Sequence, residues 1–147
     1  MPRQRKRSLQ KPGTGCPDNY TGGFDQGEGT GRRHHHLLGI LGRLNEVFYV
    51  ICLDSQNKVN HATLLHEGTI NEAPVYPRLI VETALRYQAA SIILAHNYPG
   101  GSLQPSQADV DVTRKIKQAT EAISIIVADH IIVAGESYYS FAENRLL

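Results

Sequence analysis

The feature that most constrains the fold of this chain is the run EVFYVICL at residues 46–53. β-branched and aromatic residues dominate it, and its apolar side chains follow one another almost without interruption. This pattern is typical of a β-strand buried on both faces, because a solvent-exposed face would carry a polar residue at every second position. The shorter run SIILA at residues 91–95 has the same character. The chain therefore requires a sheet that is packed on both sides.

The rest of the sequence predicts alternating strands and helices. Residues 54–57 form a turn, which makes 58–65 the second strand of a hairpin. Helices are expected from Pro77 to about Tyr87 and from Pro105 onward, where apolar residues recur at helical spacing. Further predicted elements are a weak helix at 37–44 and strands at 123–127, 130–134 and 138–141, with Ala128 and Asp129 separating the first two. This order predicts an α/β fold with a mixed β-sheet and flanking helices.

Residues 1–36 differ in composition from the rest of the chain. They are rich in glycine and poor in aliphatic residues, so they cannot bury enough apolar area to offset the entropy of ordering. We expect a disordered basic tail at 1–36 and a single folded domain at 37–147. The tail has seven Lys or Arg against three Asp or Glu, whereas residues 37–147 have eight against eleven. Nucleic acid is therefore expected to bind weakly, if at all, and through the tail.

Composition also narrows the cellular setting. No apolar run approaches the roughly 20 residues that span a bilayer, and no apolar segment follows the basic N-terminal run, so neither a membrane anchor nor a secretory signal is expected. The two cysteines, Cys16 and Cys52, lie far apart, and Cys52 stands within the first apolar strand. We expect a buried free thiol at Cys52 and a reduced, cytoplasmic protein.

Chemistry is concentrated between residues 96 and 109. The strand at 91–95 delivers His96 to a loop, and the end of such a strand is a usual place for a site in an α/β sheet. The helix that follows presents Ser106 and Asp109, three residues apart, on one face. An imidazole and a carboxylate brought together in this way are zinc-type ligands.

These residues resemble the JAB/MPN metalloprotease family, whose pattern is a Glu, then His-x-His, seven residues, Ser, two residues and Asp. Here His96-x-Tyr98 is followed by seven residues, Ser106, two residues and Asp109, so both spacings match. Other stretches are similar to the RadC-like branch, namely EGTIN at 67–71, AHN at 95–97, PS at 105–106, DHIIV at 129–133 and YYSFAE at 138–143. The resemblance covers about residues 44–147 and implies a JAB/MPN, cytidine-deaminase-like architecture.

The resemblance also implies a function, which is zinc-dependent hydrolysis of amide or isopeptide bonds in a protein or peptide substrate. His96 and Asp109 correspond to zinc ligands, Glu46 to the base that takes a proton from zinc-bound water, and Ser106 to the hydrogen-bond donor for the oxyanion. Zinc would bring the pKa of that water to about 7 and polarise the carbonyl. The alternative is a catalytically weakened binding module of the same fold that engages a protein or nucleic-acid partner, with a link to DNA repair or mobile-element biology. The DNA-repair link rests on the family label alone.

One position departs from the family pattern, because Tyr98 stands where the family has its second ligand histidine. A phenol has a pKa near 10, so it must lose a proton at a cost before it can bind zinc. Three outcomes are open. Tyr98 binds as phenolate, another histidine such as His130 replaces it, or the site is weak or free of metal.

Each of these residues also has a plainer interpretation. Ser106 and Asp109 have the spacing of a helix capping box, and Glu46 fits a charge at the edge of a strand. His130 beside Asp129 suggests either a catalytic pair or a structural histidine. His61 and His66 differ in parity along one strand, which predicts that they face opposite sides of the sheet.

Overall fold

The computed structural model describes residues 45–68 and 77–147. Five strands and two helices lie within these ranges. In chain order they are β1 (Val47–Leu53), β2 (Val59–Glu67), α1 (Pro77–Arg86), β3 (Ser91–Asn97), α2 (Gln107–Glu121), β4 (Ile126–Ala134) and β5 (Ser137–Ser140).

The five strands form one sheet in the order β2-β1-β3-β4-β5. β3 and β4 run parallel, whereas the other neighbouring pairs are antiparallel. The connection from β3 to β4 contains α2, since parallel neighbours need a long crossover. The predicted fold class, an α/β domain with a mixed sheet and packed helices, is therefore confirmed.

The central strands are buried on both sides, as their apolar sequences predict. One face, called the helix face below, packs against Ile80 and Ala84 of α1 and Ile116 of α2. Its strand residues are Phe48, Val50, Cys52, Ile92, Leu94 and Val127. A second cluster lies on the opposite face and comprises Val47, Ile51, Leu53, Ile93, Ala95, Ile131 and Val133. Cys52 is a free, buried thiol, and burial raises its pKa to about 11.

Strand β3 is longer than its apolar run predicts. The sequence places its end at Ala95 with His96 in the following loop, but the strand continues to Asn97 and all of its residues are buried. The reason is pairing on both sides, since His96 lies opposite Phe48 of β1 and Asn97 lies beside Val133 of β4. His96 is thus fixed by a central strand and not by a loop.

The two strands predicted at 123–127 and 130–134 are a single strand, β4. Ala128 and Asp129 do not interrupt it, although the register against β3 shifts there, from Ile92 opposite Val127 to Ile93 opposite Asp129. Ala128 is therefore the extra residue of a β-bulge. The bulge changes the alternation of side chains, so His130 lies beside Leu94 on the helix face. Regular alternation from Val127 would put it on the opposite face.

A second bulge overturns the prediction for His61 and His66. The register shifts between Phe48, which pairs with His66, and Tyr49, which pairs with Leu64. Because His61 pairs with Cys52, and both Phe48 and Cys52 belong to the helix face, the two histidines share that face. The two histidines would face opposite sides only in a regular strand, and the bulge between them breaks the regular alternation of side chains.

Some predictions fall outside the described residues, namely the tail at 1–36, the helix at 37–44, Cys16 and part of the EGTIN stretch. Neither helix of the described part combines the length and apolar character needed to cross a membrane.

Candidate active site

The structure brings His96 and Asp109 together at one end of β3. His96 Nε2 lies 3.4 Å from Asp109 Oδ1, and both side chains are almost fully buried. The short loop between β3 and α2 makes this possible, because Gly100 adopts a left-handed φ of +70° and Gly101 passes close to Tyr98. A Cβ at Gly101 would lie 2.8 Å from Tyr98 Cβ, a distance that only glycine allows without movement.

The first turn of α2 fixes the Asp109 carboxylate. Ser106 is the N-cap and forms the capping box, in which its Oγ accepts from the Asp109 amide at 3.2 Å. Asp109 Oδ2 in turn accepts from the Ser106 amide at 2.8 Å and from Ser106 Oγ at 2.6 Å. The capping interpretation is therefore confirmed. It occupies Oδ2, whereas Oδ1 faces His96, so the two roles of Asp109 use different oxygens.

Tyr98 lies against the same carboxylate as a hydrogen-bond donor. Its hydroxyl is 2.7 Å from Asp109 Oδ2 and 3.4 Å from Ser106 Oγ. Burial raises the pKa of Tyr98 to about 12, and the Asp109 and Glu46 carboxylates act in the same direction, while the Ser106 hydroxyl opposes it. The phenol consequently keeps its proton at neutral pH.

Glu46 lies half-buried immediately before β1, on the same end of the sheet. Antiparallel pairing of Phe48 with His96 brings residue 46 close to residue 98, and the Glu46 charge acts on Tyr98 as described. Asn97 holds this segment from both sides, because its Oδ1 accepts from the Val47 amide at 2.7 Å and its Nδ2 donates to the Asn45 carbonyl at 3.0 Å. The Glu46 carbonyl accepts from the Gly68 amide at 2.9 Å.

The role of Asn97 in holding the backbone around Glu46 was not predicted from the sequence. The available signal was a polar residue directly after a fully apolar strand and beside His96, a place where an amide side chain must find partners.

His130 is a buried neighbour of His96 on the side away from Asp109. Its Nε2 lies 2.9 Å from His96 Nδ1, and its Nδ1 lies 2.6 Å from Thr113 Oγ1 of α2. The ring does not form a catalytic pair with Asp129, whose Oδ1 accepts from the His130 and Ala142 amides and whose Oδ2 accepts from Ser140 Oγ. Asp129 therefore anchors backbone, and the Asp–His pair considered above is wrong.

Burial dominates the electrostatics of both rings. It lowers the pKa of His96 to about 4, although the Asp109 carboxylate opposes this shift. It also lowers the pKa of His130 well below the ordinary value, and His96 adds to that effect. His96 is thus uncharged at neutral pH, so its contact with Asp109 is not an ion pair. Its Nε2 is buried without a hydrogen-bond partner.

The donor set suits a metal ion only in part. Within residues 45–68 and 77–147, no three His, Cys, Asp or Glu side chains are grouped to hold one. His96 Nε2 and Asp109 Oδ1 nevertheless face each other across 3.4 Å, and Nε2 is buried without a hydrogen-bond partner, so a cation could be shared between the two atoms. These two atoms fit zinc, whereas the phenol of Tyr98 would have to lose its proton, and its hydrogen bond to Asp109, before it could be a third ligand.

Comparison with known proteins identifies the family. Residues 32–146 match the family described as the RadC-like JAB domain. A UPF0758 protein of Pseudoalteromonas translucida is 50% identical over 110 residues, which cover 75% of this chain and 49% of the relative. A UPF0758 protein of Photobacterium profundum is 47% identical over 114 residues, which cover 77% of this chain and 51% of the relative.

The fold and these matches define a JAB-type domain. The chain belongs to the RadC-like JAB domain family, as its motifs predicted. It spans about half the length of the curated relatives that it matches.

Proposed function

We propose that this chain is a zinc-dependent hydrolase of amide or isopeptide bonds whose metal site is weakened at one ligand position. The observation that carries the proposal is the unpartnered, buried Nε2 of His96 facing Asp109 Oδ1 at 3.4 Å. When the ring proton is on Nδ1, His96 Nε2 carries a lone pair, which the Asp109 carboxylate oxygen repels, so the two atoms are then suited to a shared cation. Membership of the RadC-like JAB domain family supports the same interpretation.

His96 and Asp109 would hold the zinc ion in this proposal. Zinc, when bound, supplies a water with a pKa of about 7 and polarises the carbonyl of the substrate. Glu46 would act as the base toward the attacking water, and Asn97 holds the backbone on either side of Glu46 in place. Ser106 is exposed, but its hydroxyl proton points to Asp109 Oδ2 at 2.6 Å. It must rotate away from Asp109 to donate to an oxyanion.

Tyr98 sets the affinity of the site. Its phenol is protonated and hydrogen-bonded to Asp109, so the chain contributes two strong ligands where catalytic zinc sites have three. The second candidate function follows from the same contact. The Tyr98 hydroxyl occupies Asp109 Oδ2 with a hydrogen bond, which disfavours metal-dependent cleavage and so supports the alternative, a domain of the same fold that holds a peptide partner without cleaving it.

The test compares the natural protein with Tyr98→His. We expect the natural protein to bind zinc weakly and the variant to bind it tightly through His96, Asp109 and the introduced imidazole. Zinc that binds only the folded state stabilises it by about 2.7 kcal/mol at a hundredfold excess over the dissociation constant. The melting temperature of Tyr98→His should therefore rise with added zinc, whereas that of the natural protein should barely move.

The matched control adds Glu46→Gln to Tyr98→His. This change removes the base and not a ligand, so zinc binding should stay nearly intact while peptide hydrolysis is lost. If the natural protein instead holds stoichiometric zinc and loses it in Tyr98→Phe, the phenolate is a ligand and the weakened-site proposal is wrong. If Tyr98→His binds no zinc, the metal-dependent proposal fails and the peptide-holding alternative remains.

A further inference from the structure

A chain of buried hydrogen bonds joins the two candidate zinc ligands, His96 and Asp109, on the side away from the site. It runs from His96 Nδ1 to His130 Nε2 at 2.9 Å, and from His130 Nδ1 to Thr113 Oγ1 at 2.6 Å. Thr113 Oγ1 then donates to the Asp109 carbonyl at 2.6 Å. His96, His130, Thr113 and Asp109 are each at most 2% exposed, so bulk solvent does not compete for these hydrogen bonds.

The direction of each hydrogen bond follows from the last one. The Asp109 carbonyl can only accept, so the single hydroxyl proton of Thr113 lies on that bond. Thr113 Oγ1 must then accept from His130 Nδ1–H. A fully buried imidazole is uncharged and carries one N–H, which leaves His130 Nε2 as an acceptor. His96 must therefore donate to it from Nδ1, and its remaining nitrogen, Nε2, carries a lone pair.

We propose that His130 and Thr113 are positioning residues that fix the tautomer of His96, so that its Nε2 lone pair faces Asp109 Oδ1. The proposal rests on the proposed metal-binding function for its purpose, although the hydrogen-bond order itself does not depend on a metal. A ligand histidine usually donates its other ring N–H to a carboxylate, carbonyl or water. Here a second imidazole takes that place.

In the opposite tautomer of His96, neither candidate ligand would be free to bind a metal ion. A proton on His96 Nε2 would point at Asp109 Oδ1 and form a hydrogen bond there, so both candidate ligands would be occupied by each other. The β-bulge at Ala128 enables the open arrangement, because it puts His130 on the helix face where it meets both His96 and Thr113.

The tautomers can be read directly from long-range proton–nitrogen NMR correlations of the imidazole rings in the metal-free protein. We expect the proton on Nδ1 in both His96 and His130. Thr113→Val keeps the shape of the side chain but removes the acceptor for His130, so both rings should move their proton to Nε2. Thr113→Ser should restore the natural pattern. A His96 proton on Nε2 in the natural protein would overturn the proposal, whether or not the variants fold.

Thr120→Val is the matched control. Thr120 lies on the same helix, is fully buried and also donates to a backbone carbonyl, that of Lys117 at 3.2 Å. Its substitution should leave both histidine tautomers unchanged. If Thr120→Val moves them as Thr113→Val does, the effect comes from general loosening of α2 and the proposal is wrong.

The consequence for metal is measured by zinc titration in the Tyr98→His background. We expect Thr113→Val to lower zinc affinity by roughly 10–100-fold, as loss of such a partner typically does, and Thr113→Ser to recover it. Tight zinc binding that is insensitive to Thr113→Val would refute the positioning role while leaving the proposed function intact. If Tyr98→His binds no zinc but Thr113→Val switches the tautomers as expected, the proposed function is refuted and the positioning role of His130 and Thr113 stands.

Discussion

The two nitrogens of the His96 ring lie in contrasting surroundings. On the Nδ1 side, His130 and Thr113 form short, buried hydrogen bonds that end on a backbone carbonyl. On the Nε2 side, Asp109 Oδ1 lies at 3.4 Å, and no hydrogen bond forms. One half of the ring is thus satisfied as a core residue would be, whereas the other half faces an acceptor and bears the cost of being unpaired.

This difference shows how a stable interior supports a reactive group. An unpaired buried polar atom persists only when its surroundings hold it there, and such atoms cluster at functional sites. The Nδ1 side supplies that restraint, and the Tyr98 and Ser106 contacts with Asp109 supply it on the carboxylate side. The predictions that follow act on one side or the other.

The largest change in the free energy of unfolding is expected from truncating a core side chain near the Nδ1 side of His96. Leu94 is fully buried, pairs with His130 and lies on the helix face two residues before His96. Leu94→Ala should lower the free energy of unfolding by about 2–5 kcal/mol. Chemical denaturation measures this loss, and the histidine NMR correlations should broaden or change with it.

Ile93→Ala is the control for Leu94→Ala. Ile93 is 6% exposed and belongs to the opposite face, so its truncation should cost a similar free energy but leave the tautomers of His96 and His130 unchanged. If both variants have nearly the same free energy of unfolding as the natural protein, β3 is not central to stability.

Acid should destabilise the protein by an intermediate amount. The pKa of His96 is about 4 in the folded state against 6.5 ordinarily, so the unfolded chain binds more protons between these values. The free energy of unfolding is therefore expected to be highest above pH 6.5 and to fall as the pH is lowered toward 4. His130, whose pKa is also lowered, adds to the slope.

Unfolding midpoints in urea between about pH 7 and pH 5 measure this dependence, before most carboxylates take up protons. A His96→Gln variant lacks one of the titrating rings and should show a shallower slope. A flat profile in the natural protein over this range would mean that the two rings take up protons in the folded state at the same pH as in the unfolded chain.

The smallest change in the free energy of unfolding is expected from removing the Tyr98 hydroxyl. Tyr98→Phe removes one donor to Asp109 Oδ2, but the Ser106 amide and hydroxyl still satisfy that oxygen. We expect a loss of about 0.5–1.5 kcal/mol in the free energy of unfolding. Tyr139→Phe, at a half-buried tyrosine on β5, is the matched substitution, and thermal melts of the two variants give the difference. A gain in stability at Tyr98→Phe would show that the phenol is strained against the carboxylate.

Part of the site could be predicted from the sequence because it depends on local spacing. The apolar run at 91–95 predicted the strand that carries His96, and the Ser106–Asp109 spacing predicted a helix start. The structure brings His96 and Asp109 to within 3.4 Å at the end of that strand. The position of Glu46 immediately before β1 was likewise evident from the first apolar run.

The Nδ1 side could not be predicted in the same way. Thr113 is one polar residue in an amphipathic helix, and nothing in its neighbours distinguishes it from Thr120. His130 was considered as a replacement ligand or a partner of Asp129, and its contact with His96 depends on the register shift at Ala128. Ala128 and Asp129 were interpreted as a break between strands, because a bulge and a break have the same local composition.

The sequence by itself determined the double-sided burial of β1 and β3, the alternation of strands and helices, and the short loop that joins His96 to the capped start of α2. These follow from side-chain periodicity and turn chemistry, which act over a few residues. Only the tertiary structure decided on which face of the sheet His130 lies and which nitrogen of His96 lacks a hydrogen-bond partner. It also decided that the Tyr98 hydroxyl donates to Asp109. Those outcomes depend on strand register, and a shift of one residue moves a side chain to the other face of the sheet.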